Sequence, residues 1–319
     1  MRFLLGLAAA ALAGCAPALL SVDPAVIRAH QSFLASEALA GRGSATRDEA
    51  IAAAYVASRF EQYGLRPAPG LTSFLQTLPI PAEARKRAKG LPEDALATNV
   101  IGFLPGTDAN AGYLLVSAHL DHLGMVDGKL YLGANDDASG TTAVLELARL
   151  LAKQGRQKRG ILFVAYGAEE IGAVGSNYFV THPPVPLDRI VANIEFEMIG
   201  SGDPKLASGM MLTGFERSNL GELLRSRGAL LSPDPYPEHR FFERSDNYEL
   251  ALEGVVAHTV SGWPTTPLYH RVSDTNAKID FAFMERAIQS LVEPIRWLAN
   301  SDVRPRWNPG GQPRRQPRR

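Results

Sequence analysis

Short apolar segments alternate with amphipathic helical patterns along most of this 319-residue chain. The pattern predicts strands at residues 99–104, 113–118, 161–166, 190–197, 210–213 and 255–260. It predicts helices between and after them, at residues 139–153, 171–180, 215–227 and 281–298. Strands that alternate with helices form a mainly parallel sheet. We therefore predict an α/β fold in which a mainly parallel, mixed sheet is flanked by helices on both faces.

Two more helices are predicted before the first strand. Asp23 and Pro24 supply an N-cap and a first-turn proline for a helix that extends to about residue 39. Thr46 to Glu49 form a capping box ahead of an alanine-rich helix at residues 47–63, which Gly64 ends. We expect both helices to flank the sheet.

The amino-terminal segment has the pattern of a signal peptide. Residues 3–14 are apolar, follow Arg2, and are too few to span a bilayer. The sequence Leu-Ala-Gly-Cys at 12–15 resembles the lipobox of bacterial lipoproteins, which implies lipidation of Cys15 and a membrane anchor. An ordinary secretory signal with a stray cysteine is the alternative. Ala16 favours the outer membrane, facing the periplasm, by resemblance to known sorting signals.

Charge is distributed unevenly along the chain. The formal net charge is zero, but residues 304–319 hold six arginines and no acids. Without these arginines and Arg2, 26 basic residues face 33 acidic ones, so the body carries about −7. An acidic body is a poor partner for nucleic acid. We expect residues 15–303 to form one catalytic domain and 304–319 a disordered basic tail, either solvated or in contact with anionic lipid.

Imidazole and carboxylate side chains recur where a predicted strand gives way to a loop. Such strand ends are where an open α/β sheet places its ligands. Cys15 is the only cysteine, so these groups form a nitrogen and oxygen cage of the kind that holds zinc or a similar divalent ion. The pattern predicts a hydrolase with two metals. The residues are His119, Asp121, Asn135, Asp136, Asp137, Glu169, Glu170, Glu197, Tyr269 and His270.

His119 leaves the predicted strand at 113–118 and is followed two residues later by Asp121. A histidine that binds metal usually donates its other ring proton to a carboxylate, and Asp121 is a candidate for that acceptor. A surface histidine beside an aspartate is the alternative. We expect the neighbouring His122 to support the site or the fold rather than to bind metal.

The acidic pairs also have structural alternatives. In the glycine-rich turn at 133–140, a carboxylate can place one oxygen on each of two ions, but Asp137 and Ser139 could simply cap a helix. Glu169 and Glu170 could divide metal binding and proton transfer, or could complement the dipole of the following helix.

Taken in order, these motifs resemble a family. The tightest matches are SAHLDH at 117–122, GANDDASG at 133–140, GAEEIGAVGS at 167–176 and YHRVSDT at 269–275. They resemble the bacterial two-zinc aminopeptidases that are related to glutamate carboxypeptidase II and to glutaminyl cyclases. The resemblance extends from the Leu-Ala-Gly-Arg segment at 39–42 to Thr275, and it implies a zinc-exopeptidase-like fold.

The resemblance implies a role for each matched residue. His119 is a ligand of one metal, Asp136 bridges both, and Glu170 and His270 bind the second. Glu169 is the general base. The implied activity is removal of amino-terminal residues from a peptide substrate through a metal-bridging water. The implied cofactors are two Zn²⁺, with Co²⁺ or Mn²⁺ as other possible ions.

The remaining matches concern orientation and specificity. Asp121 matches an acid that orients the histidine, and Tyr269 a tyrosine that steadies the oxyanion in some members. We expect the loops at 234–247 and 262–267 to shape the substrate pocket, although the preferred side chain and the oligomeric state stay open.

Two positions depart from the family. Glu197 stands where the family usually has aspartate as a ligand of the first metal, which leaves the occupancy of that site open. Glu195 points the same way along a strand and is an outside candidate for the role. The segment Ser-Asp-Asn at 245–247 more often reads Ser-Asp-His, and we expect it to line the pocket.

Three alternatives to the aminopeptidase remain. One is glutaminyl cyclase chemistry, an acyl transfer on a single zinc. Another is a lipoprotein that binds peptides or an envelope partner without catalysis. The third is an α/β protein whose acids only cap helices, but that explanation accounts for each motif alone and not for their order.

Overall fold

A nine-stranded mixed sheet runs through the protein in the computed structural model, which describes residues 20–315 except 89 and 208. The predicted signal peptide and the lipidated Cys15 lie outside the described residues. The strands are β1 (Arg66–Pro67), β2 (Leu75–Pro79), β3 (Leu96–Leu104), β4 (Tyr113–His119), β5 (Gly124–Val126), β6 (Lys129–Tyr131), β7 (Gly160–Tyr166), β8 (Ile190–Glu197), β9 (Met210–Leu212), β10 (Leu231–Pro233) and β11 (Ala257–Ser261). The helices are α1 (Pro24–Leu34), α2 (Arg47–Gln62), α3 (Ala82–Arg85), α4 (Ser139–Lys153), α5 (Val174–Thr181), α6 (Leu220–Arg225), α7 (Asn247–Leu252) and α8 (Phe281–Asn300).

Parallel strands form the centre of the sheet. The order is β1-β3-β7-β4-β8-β11-β9-β10, with β2 also paired to β3, while β5 and β6 form a separate hairpin. Strands β7, β4, β8 and β11 are mutually parallel, whereas β3 and β9 join this block antiparallel. Four carboxyl ends therefore meet at one edge of the sheet, and antiparallel strands are confined to its flanks.

Helices cover both faces of the sheet. Along β7, Phe163 packs with Phe60 of α2 on the face that α1, α4, α6 and α8 also cover. Its neighbours Leu162 and Val164 point to the opposite face, where they pack with Phe179 of α5 and with residues of α7. This alternation follows from the two-residue period of a strand. Burial of each large apolar side chain stabilises the sandwich by about 1.5–3 kcal/mol.

The structure confirms the predicted fold class, with two local differences. The helix predicted to reach residue 39 ends at Leu34, and a 3-10 segment, Glu37–Arg42, follows. The helix predicted at 215–227 is divided into a 3-10 turn, Phe215–Arg217, and α6. The division occurs because Ser218 is extended and forms an antiparallel bridge with Trp307.

Residues 304–315 lie against the domain, which differs from the expected disorder. Trp307 contacts the rings of Phe242 and His258 at centroid distances of 6.2 and 5.4 Å, and its Nε1 donates to the Gly254 carbonyl at 3.0 Å. One half-buried aromatic side chain, Trp307, supplies the apolar contact that composition alone did not suggest. Residues 316–319 of the predicted tail lie outside the described part. Within the described residues, no helix is long and apolar enough to cross a membrane.

Candidate metal centre

The parallel arrangement of the central strands brings the predicted side chains together. His119 ends β4, Glu197 ends β8, and Glu170 lies in the turn after β7. Asp136 comes from the turn before α4, and His270 from the loop before α8. All five predicted metal ligands therefore lie at one edge of the sheet, although they are separated by as much as 151 positions in sequence.

Asp136 joins two groups of donors at this edge. His119, Asp136 and Glu197 form one group, and His122, Asp136, Glu170 and His270 form the other, each with its donor atoms within 4.8 Å of one another. Oδ1 of Asp136 lies 3.2 Å from His119 Nε2, whereas Oδ2 lies 3.2 Å from His270 Nε2. One carboxylate oxygen thus faces each group, which is the arrangement of a bridging ligand.

His122 is the member of these groups that we did not expect. It is fully buried, and its Nδ1 lies 2.8 Å from Glu170 Oε1. Its ring meets that of His270 edge to face at 5.7 Å. The available signal in the sequence was its position at the exit of β4, directly after Asp121.

Asp121 acts differently from the sequence expectation. His119 Nδ1 lies 3.1 Å from the main-chain carbonyl of Asp121 but 3.9 Å from the nearest oxygen of its carboxylate. That carboxylate instead accepts hydrogen bonds from the amides of Glu169 and Glu170, at 2.9 and 3.2 Å, and from the Ser44 hydroxyl. Asp121 therefore orients the histidine through its main chain and holds the turn after β7 through its side chain.

The turn that carries Asp136 is fixed from two sides. The Asp274 carboxylate accepts from the amides of Asn135, at 2.9 Å, and of Asp136, at 3.2 Å. The buried Arg42 guanidinium donates to the carbonyls of Leu132 and Gly133, both at 2.9 Å. Sequence reasoning assigned no role to Asp274 or Arg42, because their partners are distant main-chain atoms.

The neighbouring aspartates have different partners. Asp137 Oδ1 accepts from the amides of Gly140, at 2.9 Å, and Met198, at 3.0 Å. Helix capping therefore describes Asp137, which joins the start of α4 to the end of β8. It does not describe Asp136, whose carboxylate faces the histidines.

Glu169 is placed apart from the donor groups. It lies outside both of them, and α5 begins only at Val174, so the pair Glu169 and Glu170 precedes the helix instead of forming its first turn. The Ala168 amide donates to Glu49 Oε1 at 2.8 Å, which further fixes this turn. Burial raises the pKa of Glu169 well above its usual range, and the nearby His119 opposes that shift.

Histidines and carboxylates inside the cluster shift each other's pKa values in opposite directions. Burial alone would lower the pKa of His119, but the hydrogen-bonded Asp136 and the neighbouring carboxylates raise it well above its usual range. Burial would raise the pKa of Asp136, yet His119 and His270 hold it well below its usual range. Asp136 is therefore a carboxylate anion, the form in which it can bind a cation.

Glu195 lies two positions before Glu197 and belongs to neither group. It accepts hydrogen bonds from the Ser245 and Thr259 hydroxyls, both at 3.0 Å, and from the Asn247 amide at 2.5 Å. The segment at 245–247 was expected to line the pocket, but it forms this buried network instead.

A cavity of about 360 Å³ opens beside the group formed by His119, Asp136 and Glu197, here called the first donor group. Glu197 and Tyr269 form part of its wall, together with Phe241, Arg244 and residues 264–267 from the two loops predicted to shape a pocket. Tyr269 is 36% exposed, and its ring stacks on that of His270 at 3.9 Å. A ligand in this cavity would therefore contact the cluster.

The donor atoms fit divalent cations. Two neighbouring groups that contain only imidazole and carboxylate donors match the ligand preferences of zinc and similar ions. Asp136 Oδ2 and Glu170 Oε1 are buried and have no hydrogen-bond partner among the described residues. An ion between the donors would satisfy these atoms, which are otherwise costly to bury.

The sequence of this chain is similar to those of known peptidases. The model of peptidase family M28 matches residues 99–293. Leupeptin-inactivating enzyme 1 of Streptomyces exfoliatus is 32% identical over 200 residues, which is 62% of this chain and 41% of that protein. A probable lipoprotein aminopeptidase of Mycobacterium tuberculosis, LpqL, is 33% identical over 99 residues, 31% of this chain and 19% of that protein. The chain thus spans less than half the length of either curated relative.

A solved structure shares the fold. The aminopeptidase from Aneurinibacillus sp. strain AM-1 superposes with a TM-score of 0.67 at 16% sequence identity, covering 93% of this chain and 99% of that chain.

Proposed function

The chain belongs to peptidase family M28, and on that premise we propose that it is a metal-dependent aminopeptidase that removes amino-terminal residues from peptides. The observation that carries the proposal is the position of Asp136, whose two carboxylate oxygens face two separate groups of donors. Two overlapping groups of this kind suit a pair of cations that act together on one bond.

We assign His119, Asp136 and Glu197 to one ion, and Asp136, Glu170 and His270 to the other. Both ions are proposed to be Zn²⁺, with Co²⁺ or Mn²⁺ as substitutes. When bound, a pair of divalent ions polarises the scissile carbonyl and lowers the pKa of water towards ~7.

Glu169 moves the proton in this proposal. Its carboxylate takes a proton from the attacking water as the water oxygen bonds to the carbonyl carbon. It then gives that proton to the leaving amine nitrogen as the carbon–nitrogen bond breaks. Asp121 and Glu49 keep Glu169 in position, because their carboxylates hold the amides of the turn that carries it.

Tyr269 and the adjacent cavity contact the substrate in this proposal. The tyrosine forms part of the cavity wall beside Glu197. Its hydroxyl can therefore donate to the carbonyl oxygen as negative charge develops there. The cavity receives the amino-terminal side chain of the peptide.

The test is a screen of aminoacyl anilides with protein stripped of metal and then reloaded with zinc, cobalt or manganese. We expect hydrolysis to return with two ions per chain, as measured by elemental analysis. One ion per chain with cyclisation of amino-terminal glutamine would indicate a glutaminyl cyclase instead. No bound ion and no turnover would indicate a binding protein.

We also propose that the protein is anchored to the cell envelope through lipidated Cys15, at the outer membrane facing the periplasm. The proposal is supported by the Leu-Ala-Gly-Cys motif and by the similarity to LpqL, a probable lipoprotein aminopeptidase. Labelling with a clickable fatty acid tests it. Wild-type protein should take up label and sediment with membranes, whereas Cys15→Ser should do neither. An unlabelled wild-type chain would contradict the anchor.

A further inference from the structure

We propose that His122 is a fourth protein ligand of the second metal site, so that four protein donors enclose one ion and three hold the other. The closed set is His122, Asp136, Glu170 and His270. This inference rests on the proposed metal-dependent function. It adds to that function an asymmetry between the two sites that the sequence motifs do not imply.

Distances between the donors support a closed set. His122 Nδ1 lies 2.8 Å from Glu170 Oε1 and 3.8 Å from Asp136 Oδ2. His270 Nε2 lies 3.2 Å from Asp136 Oδ2 and 3.1 Å from Glu170 Oε2. Donors at about 2.0 Å from a tetrahedral zinc ion are separated by roughly 3.3 Å. The four measured separations lie on both sides of that value.

The absence of other partners for His122 is the second observation. Its side chain is fully buried, and neither ring nitrogen makes a hydrogen bond to a described residue. The Glu170 carboxylate lies 2.8 Å from His122 Nδ1, and Asp136 Oδ2 and Glu170 Oε1 are likewise without a hydrogen-bond partner among the described residues. Buried polar atoms are rarely left unpaired, and a single cation between these three would satisfy them together.

The backbone around His122 fixes the position of its ring. The His122 amide donates to the Arg42 carbonyl at 3.2 Å, and the same segment forms a bridge with Gly43. Gly133, at φ 59°, packs so closely that a Cβ there would lie 2.3 Å from His122 Cγ. Packing that excludes a side chain at position 133 therefore holds the imidazole against the donor group.

The two sites then differ in function. With His122, the second site would offer two imidazoles and two carboxylates and the first site three donors, so the first would keep the more open position for water or substrate. Glu197 of the first site forms part of the wall of the 360 Å³ cavity, whereas His122 and Glu170 of the second site border a separate cavity of about 410 Å³. The second site therefore retains its ion more strongly, and the first site exchanges more readily.

X-ray absorption of the protein loaded with two zinc ions counts the imidazoles without any mutation. We expect three imidazoles shared between two ions in the wild type and two in His122→Gln. His182→Gln removes an exposed histidine at the end of α5 and should leave the count at three. A wild-type count of two would overturn the inference.

Metal affinity measured by chelator competition shows whether His122 binds the ion itself or only hydrogen-bonds to the ligand Glu170. Glutamine can still donate to Glu170, so a purely orienting role would survive in His122→Gln. Loss of a residue that only supports a ligand typically lowers metal affinity ~10–100-fold. If His122 is itself a ligand, both His122→Gln and His122→Ala should lower the affinity of the second site by more than about 100-fold. Unchanged affinity in His122→Gln would overturn the inference. Failure of the wild type to bind metal would instead refute the proposed function.

Discussion

Glu195 and Glu197 lie two residues apart on β8, point to the same side of the sheet, and have opposite surroundings. Three hydrogen-bond donors surround the Glu195 carboxylate. Glu197 instead lies with His119 and Asp136, and forms part of the cavity wall. The protein therefore supplies hydrogen bonds to the carboxylate of Glu195 and leaves the carboxylate of Glu197 available to a ligand.

Two buried histidines show the same contrast. Both ring nitrogens of His258 have partners, the Thr213 carbonyl and the Ser218 hydroxyl, each at 2.7 Å. Neither ring nitrogen of His122 has one among the described residues. Because an unpaired buried polar atom costs about 1–3 kcal/mol, such atoms should concentrate where a ligand is expected to pair them. Unpaired buried atoms also occur elsewhere, for example at Asp246 Oδ2 and the Tyr166 hydroxyl. The candidate site is distinguished by their grouping, since the His122 ring nitrogens, Asp136 Oδ2 and Glu170 Oε1 lie together.

The largest effect should come from Glu169→Gln. Glu169 is next to Glu170 in the chain but belongs to neither donor group, so it should contribute to turnover and not to metal binding. We expect kcat on an aminoacyl anilide to fall by about 10²–10⁴-fold, the usual contribution of a positioned general base. Elemental analysis should still find two ions per chain. Retained activity, or loss of metal from this variant, would contradict the role.

The next effect should be on metal affinity in Glu197→Ala. Removal of one of three donors should weaken the first site by more than about 100-fold, since even supporting residues contribute ~10–100-fold. Chelator competition measures this change, and the ion at the second site should remain. The free energy of unfolding of the metal-free protein should change little, because Glu197 shares only the Ser245 hydroxyl with Glu195 and lacks the Asn247 and Thr259 donors. A large loss of stability in the metal-free variant would remove the distinction between the two glutamates.

Glu195→Ala is the control for Glu197→Ala, because it removes the same side chain from a position where hydrogen bonds already occupy the carboxylate. It removes the acceptor of the Ser245 hydroxyl and the Asn247 amide, while the Thr259 hydroxyl keeps Asn247 Oδ1 as an acceptor at 2.9 Å. We expect the free energy of unfolding of the metal-free protein to fall by about 2 kcal/mol, as one or more of these donors stays buried and unpaired. Metal content should stay at two ions per chain. Urea denaturation provides the measurement, and metal loss with unchanged stability would reverse the assignment of Glu195 and Glu197.

Long periodic segments made most of the fold predictable. The sequence prediction gives β8 and α4 the bounds that the structure has, Ile190–Glu197 and Ser139–Lys153, because each has an apolar pattern many residues long. Short elements were missed. Strands such as β1, two residues long, and β10, three residues long, depend on a neighbouring strand and have too few residues for a periodic signal.

The sequence predicted which residues lie at the candidate site better than it predicted the contacts of their side chains. The five expected ligands converge, because parallel strands place their carboxyl ends together. The direction of each side chain depends on turns that pattern alone does not determine. His122 therefore faces the cluster, and Asp121 holds the turn of Glu169 and Glu170 through its carboxylate.

The smallest effect we expect is the pH dependence that His258 gives to stability. Burial lowers its pKa from 6.5 to about 4, and Arg217 adds to the shift, so the folded protein keeps this ring neutral. The unfolded chain binds a proton below pH 6.5, whereas the folded chain does so only near pH 4. The stabilisation is therefore complete above pH 6.5 and is lost progressively as the pH falls towards 4.

At one pH unit below the unfolded pKa, this loss should amount to about 1.4 kcal/mol. Urea denaturation of metal-free wild type and His258→Asn at neutral and mildly acidic pH measures it. The carboxylates of the candidate metal centre are present in both proteins, so their titration cancels in the difference. The wild type should lose stability more steeply than the variant as the pH falls. If the free energies of unfolding of the two proteins fell equally with pH, the fold would not hold His258 neutral. The hydrogen-bonded His258 would then differ less from His122 than their contacts indicate.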